Sequence, residues 1–174
     1  MIDSRITEAR NLATERHEGQ FRKGSARLPY VVHCEEVAAL VAKYGGSEDA
    51  IVAAWLHDIV EDTDTTAEEI RARFGKAVAS IVLEVTDDPG VGKEVARAQQ
   101  VLSAPHKSLE AALIKAADQT SNMLSIVNTP PYWSNEERLA YIAKARAVVE
   151  RLPAPDSLTA AFSAAASAAE RVGS

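Results

Sequence analysis

Glycine and proline punctuate this chain so that the intervals between breaks suit helices. The eight glycines and seven prolines fall around positions 19–29, 45–46, 75, 89–92, 105, 130–131 and 153–155, with a final glycine at 173. Inside a helix proline costs about 3 kcal/mol and glycine about 1 kcal/mol relative to alanine, so the long stretches lacking both are where helices persist. Alanine is plentiful in those stretches and aromatic residues make up only 5% of the chain, thin material for the β-branched and aromatic faces of sheets. The expected fold class is all-α, with several helices packed together.

Apolar spacing assigns the helices. Ile6, Ala9, Leu12, Ala13 and Arg16 form one stripe of a helix over 3–18 that ends near Gly19, and the cation- and turn-rich segment 20–30 reads as an exposed loop. Val37, Leu40, Val41 and Tyr44 mark a helix over 31–44, stopped by Gly45-Gly46. Ser47 caps a largely buried helix over 48–60. Thr65 or Thr66, followed by Glu68 and Glu69, opens a short helix that stops near Phe74-Gly75, and another runs from Lys76 to about Val85. Later helices are expected at 93–103, 108–127, 134–151 and 156–171. The break Asp87-Asp88-Pro89-Gly90-Val91-Gly92 is too short for a linker, so the 174 residues, 47% of them apolar, read as a single domain over 1–174. The Ala- and Ser-rich last helix is open to two readings, close packing on a neighbour or a peripheral tail.

A formal charge of −6 offers no basic field of the kind that displaces counterions from nucleic acid, and no nucleic-acid partner is expected. A small anion is still compatible, because a few cations converging in one cleft override the sign of the whole surface. Cys34 is the only cysteine, which excludes an intramolecular disulfide and fits a reducing compartment. The start Met1-Ile2-Asp3-Ser4-Arg5 has no apolar signal core, and Ser163, Ser167 and Glu170 interrupt the Ala-rich tail before it could span a bilayer. The expectation is a cytoplasmic protein without a membrane partner, its oligomeric state open.

Chemistry concentrates in Trp55-Leu56-His57-Asp58-Ile59-Val60-Glu61-Asp62-Thr63, where four ionisable groups interrupt an apolar run. Read as one helix, His57 and Glu61 share a face, as do Asp58 and Asp62, and the neighbours His57 and Asp58 diverge by about 100° while still reaching one ion. Imidazole with carboxylate suits Mn, Fe or Zn better than Ca. His33 on an earlier helix and Asp118, after the apolar run Leu113-Ile114-Lys115-Ala116-Ala117, offer further ligands, and helical folds build metal sites from several helices in this way. The alternative is a surface His33 and an ordinary helix charge at Asp118.

These blocks resemble the hydrolase domain of the RelA/SpoT family within the HD superfamily, closest to its short stand-alone alarmone hydrolases. The resemblance runs through His17-Glu18-Gly19-Gln20-Phe21-Arg22-Lys23, Pro29-Tyr30-Val31-Val32-His33, Ala53 to Thr63, Phe74-Gly75, Val85-Thr86-Asp87, Ala104-Pro105-His106, Ile114 to Asp118, Asn122, Trp133-Ser134 and Tyr141. It implies a metal-dependent hydrolase that removes pyrophosphate from the 3′ position of guanosine 3′,5′-bis(diphosphate) or its triphosphate analogue, leaving GDP or GTP. It also implies one Mn²⁺ per chain held by His33, His57, Asp58 and Asp118, with Glu61 and Asp62 as the catalytic acid pair. A nucleotide substrate would meet Arg22, Lys23, Asn122 and Tyr141, with Arg97 and Lys93 toward the 5′ phosphates. His17 and His106 read as structural.

Departures from the family pattern fall around the substrate. Gln119-Thr120-Ser121 stands where a basic residue and an aromatic or histidine are common, Leu124 where arginine is common, and Glu94-Val95-Ala96 where the stand-alone enzymes carry Glu-Arg-Lys. Metal chemistry is untouched, but the nucleotide is left open: an adenosine alarmone or NADPH would suit the same chemistry. A nucleotide sensor without turnover is the contrasting reading, disfavoured by the complete set of ligands and acids.

Overall fold

Helices account for all the regular structure among the described residues, 4–173, of the computed structural model. They are α1 (Ser4–Arg16), α2 (Val31–Lys43), α3 (Glu48–Trp55), α4 (Ile59–Asp62), α5 (Ala67–Val85), α6 (Lys93–Ser103), α7 (Leu109–Asn128), α8 (Asn135–Val149) and α9 (Asp156–Glu170), with a 3₁₀ turn at Ala104–His106. A single bridge, Phe21 to Pro29, pins the ends of the loop between α1 and α2. The expected start of the first helix, residue 3, lies outside the described residues.

The axis of the fold is α7. Its buried set, from Ala111 and Ala112 through Ile114, Ala117 and Thr120 to Met123 and Ile126, runs around the whole helix, the mark of a helix enclosed by others rather than one facing solvent. Helices α2, α3, α5, α8 and α9 pack on it, and α1 covers α3 with Ala9, Leu12 and Ala13. Small residues let this happen: alanine at 111, 112, 116 and 117 allows neighbours to approach the α7 backbone closely. The last helix is part of this core, since α9 buries Leu158, Phe162, Ala165, Ala166 and Ala169 against α7 and α8. No helix among the described residues is long and apolar enough to cross a membrane.

Local signals explain most boundaries. Ser47, Thr66, Ser108 and Ser134 each accept a backbone N–H of the first turn that follows, satisfying donors that a helix start leaves unpaired. Gly45, at φ +85°, ends α2 while Gly46 N–H returns to the Val41 carbonyl at 2.9 Å, a Schellman-type stop. Gly75, at φ +91°, breaks α5 into the two helices that Phe74-Gly75 predicts.

One boundary differs, and it matters for the site. The expected helix over 48–60 stops at Trp55; Leu56, His57 and Asp58 form a turn, and α4 restarts at Ile59. The His57 ring sits on the Ala54 carbonyl at 2.8 Å, the acceptor that a continuing helix would offer to the Asp58 N–H. Leu56 and Ile59 are fully buried on either side, each contributing roughly 1.5–3 kcal/mol, so the turn is clamped at both ends. His57 and Asp58 therefore do not diverge as helical neighbours: their side chains converge.

Candidate active site

Three elements meet at the His57-Asp58 turn. His33 comes from the first turn of α2, Asp118 from the middle of α7, and Glu61 and Asp62 from α4. His33 and His57 are 2% and 4% exposed. Their Nε2 atoms face each other at 3.2 Å, Asp58 Oδ2 lies 2.8 Å from His57 Nε2 and 3.6 Å from His33 Nε2, and Asp118 Oδ1 is 3.3 Å from His33 Nε2. Ligand atoms of His33, His57 and Asp58 all fall within 4.8 Å of one another. Asp118 borders this trio through His33, with Asn122 Nδ2 on its Oδ1 at 2.8 Å and Gln119 Nε2 on its Oδ2 at 2.9 Å.

The donor set fits a divalent cation. His57 Nδ1 is on a carbonyl, which accepts only, so that nitrogen carries a proton and Nε2 is the nitrogen left for an ion. Two imidazole nitrogens and carboxylate oxygens thus converge in a largely buried pocket, and such mixed N/O shells suit transition-type divalent ions. The electrostatics agree. Burial opposes charge on His57, but the Asp58 carboxylate, Asp118 and the Ala54 carbonyl raise the imidazole to about 9. Burial likewise opposes charge on both aspartates, yet His57 and His33 hold Asp58 well below the carboxylate range, and His33 with Lys115 holds Asp118 at about 2. The pocket is built for negative ligands around a positive centre.

Glu61 stands apart from this pattern. Its Oε1 accepts the Asp87 backbone N–H, but burial, with the charges of Asp58 and Asp87, outweighs that bond and lifts the carboxyl to about 7. Burial and Asp58 also raise Asp62. An acid poised near neutrality beside a cation site is suited to taking and returning a proton.

Tyr141 separates two openings. On one side a cavity of about 280 Å³ is lined by Phe21, Lys23, Tyr30, Asn122 and Trp133, the last packed on Tyr141 at 5.0 Å between rings. On the other, about 470 Å³ is lined by Lys93, Arg97, Lys115, Gln119 and Lys144. Lys23, Asn122, Tyr141, Arg97 and Lys93 therefore all face these openings. Arg22 does not accompany Lys23: its guanidinium turns inward, 9% exposed as a residue, and bonds Glu36 Oε2 at 2.6 Å and Ser121 at 3.3 Å. His17 bonds Gln20 at 2.8 Å and packs against Tyr30, and His106 lines a separate cavity beside Lys107.

Residue types alone left three participants unnoticed. Tyr30 donates its hydroxyl to Asp58 Oδ2 at 2.5 Å, three residues before His33 and thus one turn away. Lys115 Nζ lies 3.7 Å from Asp118, again at the i, i+3 spacing that puts side chains together. Asp87 serves through its backbone, which no residue type announces.

Residues 9–144 match the HD domain family. The chain belongs to that family. This HD domain chain is 42% identical over 156 residues to guanosine-3′,5′-bis(diphosphate) 3′-pyrophosphohydrolase MESH1 of Xenopus tropicalis, covering 88% of the chain and 87% of the relative. The Mus musculus MESH1 is 40% identical over 152 residues, with 86% and 85% covered. The HD domain chain also superposes on the solved structure of a metazoan orthologue of SpoT, which hydrolyses ppGpp and plays a role in starvation responses. That match has a TM-score of 0.90 at 31% identity, with 95% of each chain covered.

Proposed function

We propose that this HD domain protein is a metal-dependent 3′-pyrophosphohydrolase that converts guanosine 3′,5′-bis(diphosphate), or its triphosphate analogue, to GDP or GTP and pyrophosphate. The observation that carries the reading is the buried His33–His57–Asp58 cluster with Glu61 at its edge, in a chain that resembles MESH1 over most of its length. One Mn²⁺ per chain would be held by His33, His57, Asp58 and Asp118, and a cytoplasmic setting suits the lone buried Cys34.

A bound divalent ion supplies charge neutralisation at the 3′ phosphates and a more acidic water. The chain's own residues do the rest. Glu61, raised to about 7, accepts a proton from the attacking water, and Asp62 beside it, also raised, holds that water or donates its proton to the leaving 3′ oxygen. Tyr30 keeps Asp58 Oδ2 in place. Lys23 and Asn122 line the cavity on one side of Tyr141 and Arg97 the cavity on the other, so the base and the 5′ phosphates are read on opposite sides of one aromatic ring.

The decisive assay incubates metal-stripped protein plus Mn²⁺ with the guanosine and adenosine 3′-diphosphate alarmones and with NADPH, resolving products by anion exchange beside an Asp58→Ala control. Pyrophosphate from the guanosine compound, dependent on metal and on Asp58, is the expected result. Preference for another nucleotide would move the substrate and keep the chemistry. Binding without turnover of any of the three would replace hydrolysis by sensing.

A further inference from the structure

We infer that Arg22, Glu36 and Ser121 form a positioning device behind His33 that fixes the imidazole with Nε2 toward the ion, so that Arg22 in this chain also serves the metal centre. The inference rests on the metal-dependent reading above.

Proton accounting at one hydroxyl carries the argument. Ser121 is fully buried, and its Oγ has one proton and two lone pairs. That proton goes to Glu36 Oε2 at 2.6 Å, a carboxylate oxygen that also accepts Arg22 Nη1 at 2.6 Å. Arg22 Nη2 reaches Ser121 Oγ and the Ser121 carbonyl, each at 3.3 Å. Toward His33 Nδ1, 3.0 Å away, the hydroxyl has only a lone pair to offer. His33 must therefore donate from Nδ1, which makes Nε2 the nitrogen offered to an ion, aimed at His57, Asp58 and Asp118.

The two histidines reach the same tautomer by different means. His57 uses the Ala54 carbonyl three residues back, a local bond that forms with the turn itself. His33 depends on α7, 88 residues away in sequence, and on an ion pair that keeps the hydroxyl pointed away from the ring. Without Glu36 the Ser121 proton is free to turn toward Nδ1, which permits the opposite tautomer and blocks the ligand atom. Ser121 also lies in the segment that departs from the family pattern, and its small side chain leaves the space that the inward guanidinium fills. Partners that orient a ligand imidazole in this way are worth about 10- to 100-fold in metal affinity.

The test measures Mn²⁺ binding directly, through the six-line electron paramagnetic resonance signal of the free ion, on the full chain and on Ser121→Ala, Glu36→Gln, Arg22→Ala and Ser121→Thr. Ser121→Ala, Glu36→Gln and Arg22→Ala are expected to bind Mn²⁺ about 10- to 100-fold more weakly, and Ser121→Thr, which keeps the hydroxyl, to stay close to the unaltered chain. Unchanged Mn²⁺ affinity in the first two, in folded protein, overturns the device. An Arg22→Ala variant that raises KM while leaving Mn²⁺ affinity intact overturns the assignment of Arg22. Should these variants fail to fold, ¹H–¹⁵N spectra of the unaltered chain loaded with diamagnetic Zn²⁺ decide: a His33 proton on Nδ1 supports the device, and a His33 bound to the ion through Nδ1 overturns it. Failure of the unaltered chain to bind Mn²⁺ at all would instead remove the metal-centre reading beneath it.

Discussion

Three groups converge on Asp58 Oδ2: the Tyr30 hydroxyl at 2.5 Å, His57 Nε2 at 2.8 Å and His33 Nε2 at 3.6 Å. Replacing Asp58 by alanine removes the carboxylate that both imidazoles face and leaves Asp118 as the one acid beside them, so loss of Mn²⁺ binding and of measurable hydrolysis is expected in the metal-titration assay. Tyr30→Phe removes only the donor to Asp58. It is expected to lower kcat/KM about 10- to 100-fold, as outer partners of a metal ligand do, with little change in the circular dichroism spectrum. With Glu61 as the proposed base, its carboxyl sets the expected pH dependence. A base must be unprotonated to act, and this one is lifted to about 7, so kcat/KM is expected to fall as pH drops through about 7. Glu61→Gln should abolish that acid limb and reduce the rate by a factor on the order of 10²–10⁴; an unchanged limb in the variant would assign it to another group.

At the scale of elements, the helix stops do as much as the helices. Gly75 splits α5 at φ +91°, and a Cβ built there meets nothing within 4 Å, so Gly75→Ala adds no clash. Its expected cost, about 1–3 kcal/mol in urea unfolding, is the strain of a positive φ with an extended ψ, a backbone that essentially only glycine adopts. The same reasoning separates what was legible about the turn after α3. Apolar periodicity at Ile51, Val52, Trp55 and Ile59 continues through residue 58 because Leu56 and Ile59 are both buried, and the pattern reads as one helix. What breaks it is a ring-to-carbonyl bond, His57 to Ala54, which leaves no periodic trace. Motif spacing thus placed His57 and Asp58 side by side for an incorrect geometric reason.

For the whole molecule, two carboxylates, Asp58 and Asp118, and two histidines brought to one largely buried place make stability depend on what occupies it. A ligand that binds only the folded chain stabilises it by about 2.7 kcal/mol at a hundred times its Kd, and a rise in Tm on adding Mn²⁺ to stripped protein is expected by differential scanning calorimetry. Glu61 adds a pH term to the metal-free chain. Its carboxyl is raised from 4.5 to about 7 on folding, so its contribution is fully present below about 4.5 and is lost as pH rises through about 7. Metal-free Glu61→Gln should therefore melt higher than the unaltered chain at pH 8 and no higher near pH 4; a difference at both would point to packing instead of charge.

Most of the architecture is local, and the sequence by itself determined it: helix starts at Ser47, Thr66, Ser108 and Ser134, stops at Gly45 and Gly75, and the all-α class all rest on capping and backbone preferences acting within a few residues. The residues of the site were legible as types in motif blocks. Their relations were not, because they are set between helices far apart in the chain. Only tertiary packing turned Arg22 inward while Lys23 faced the cavity, seated α9 in the core, and set the Ser121 hydroxyl of α7 against the His33 ring of α2. Spacing along one helix fixes which face a side chain takes, whereas the direction of a buried proton is decided by every partner that packing delivers to it.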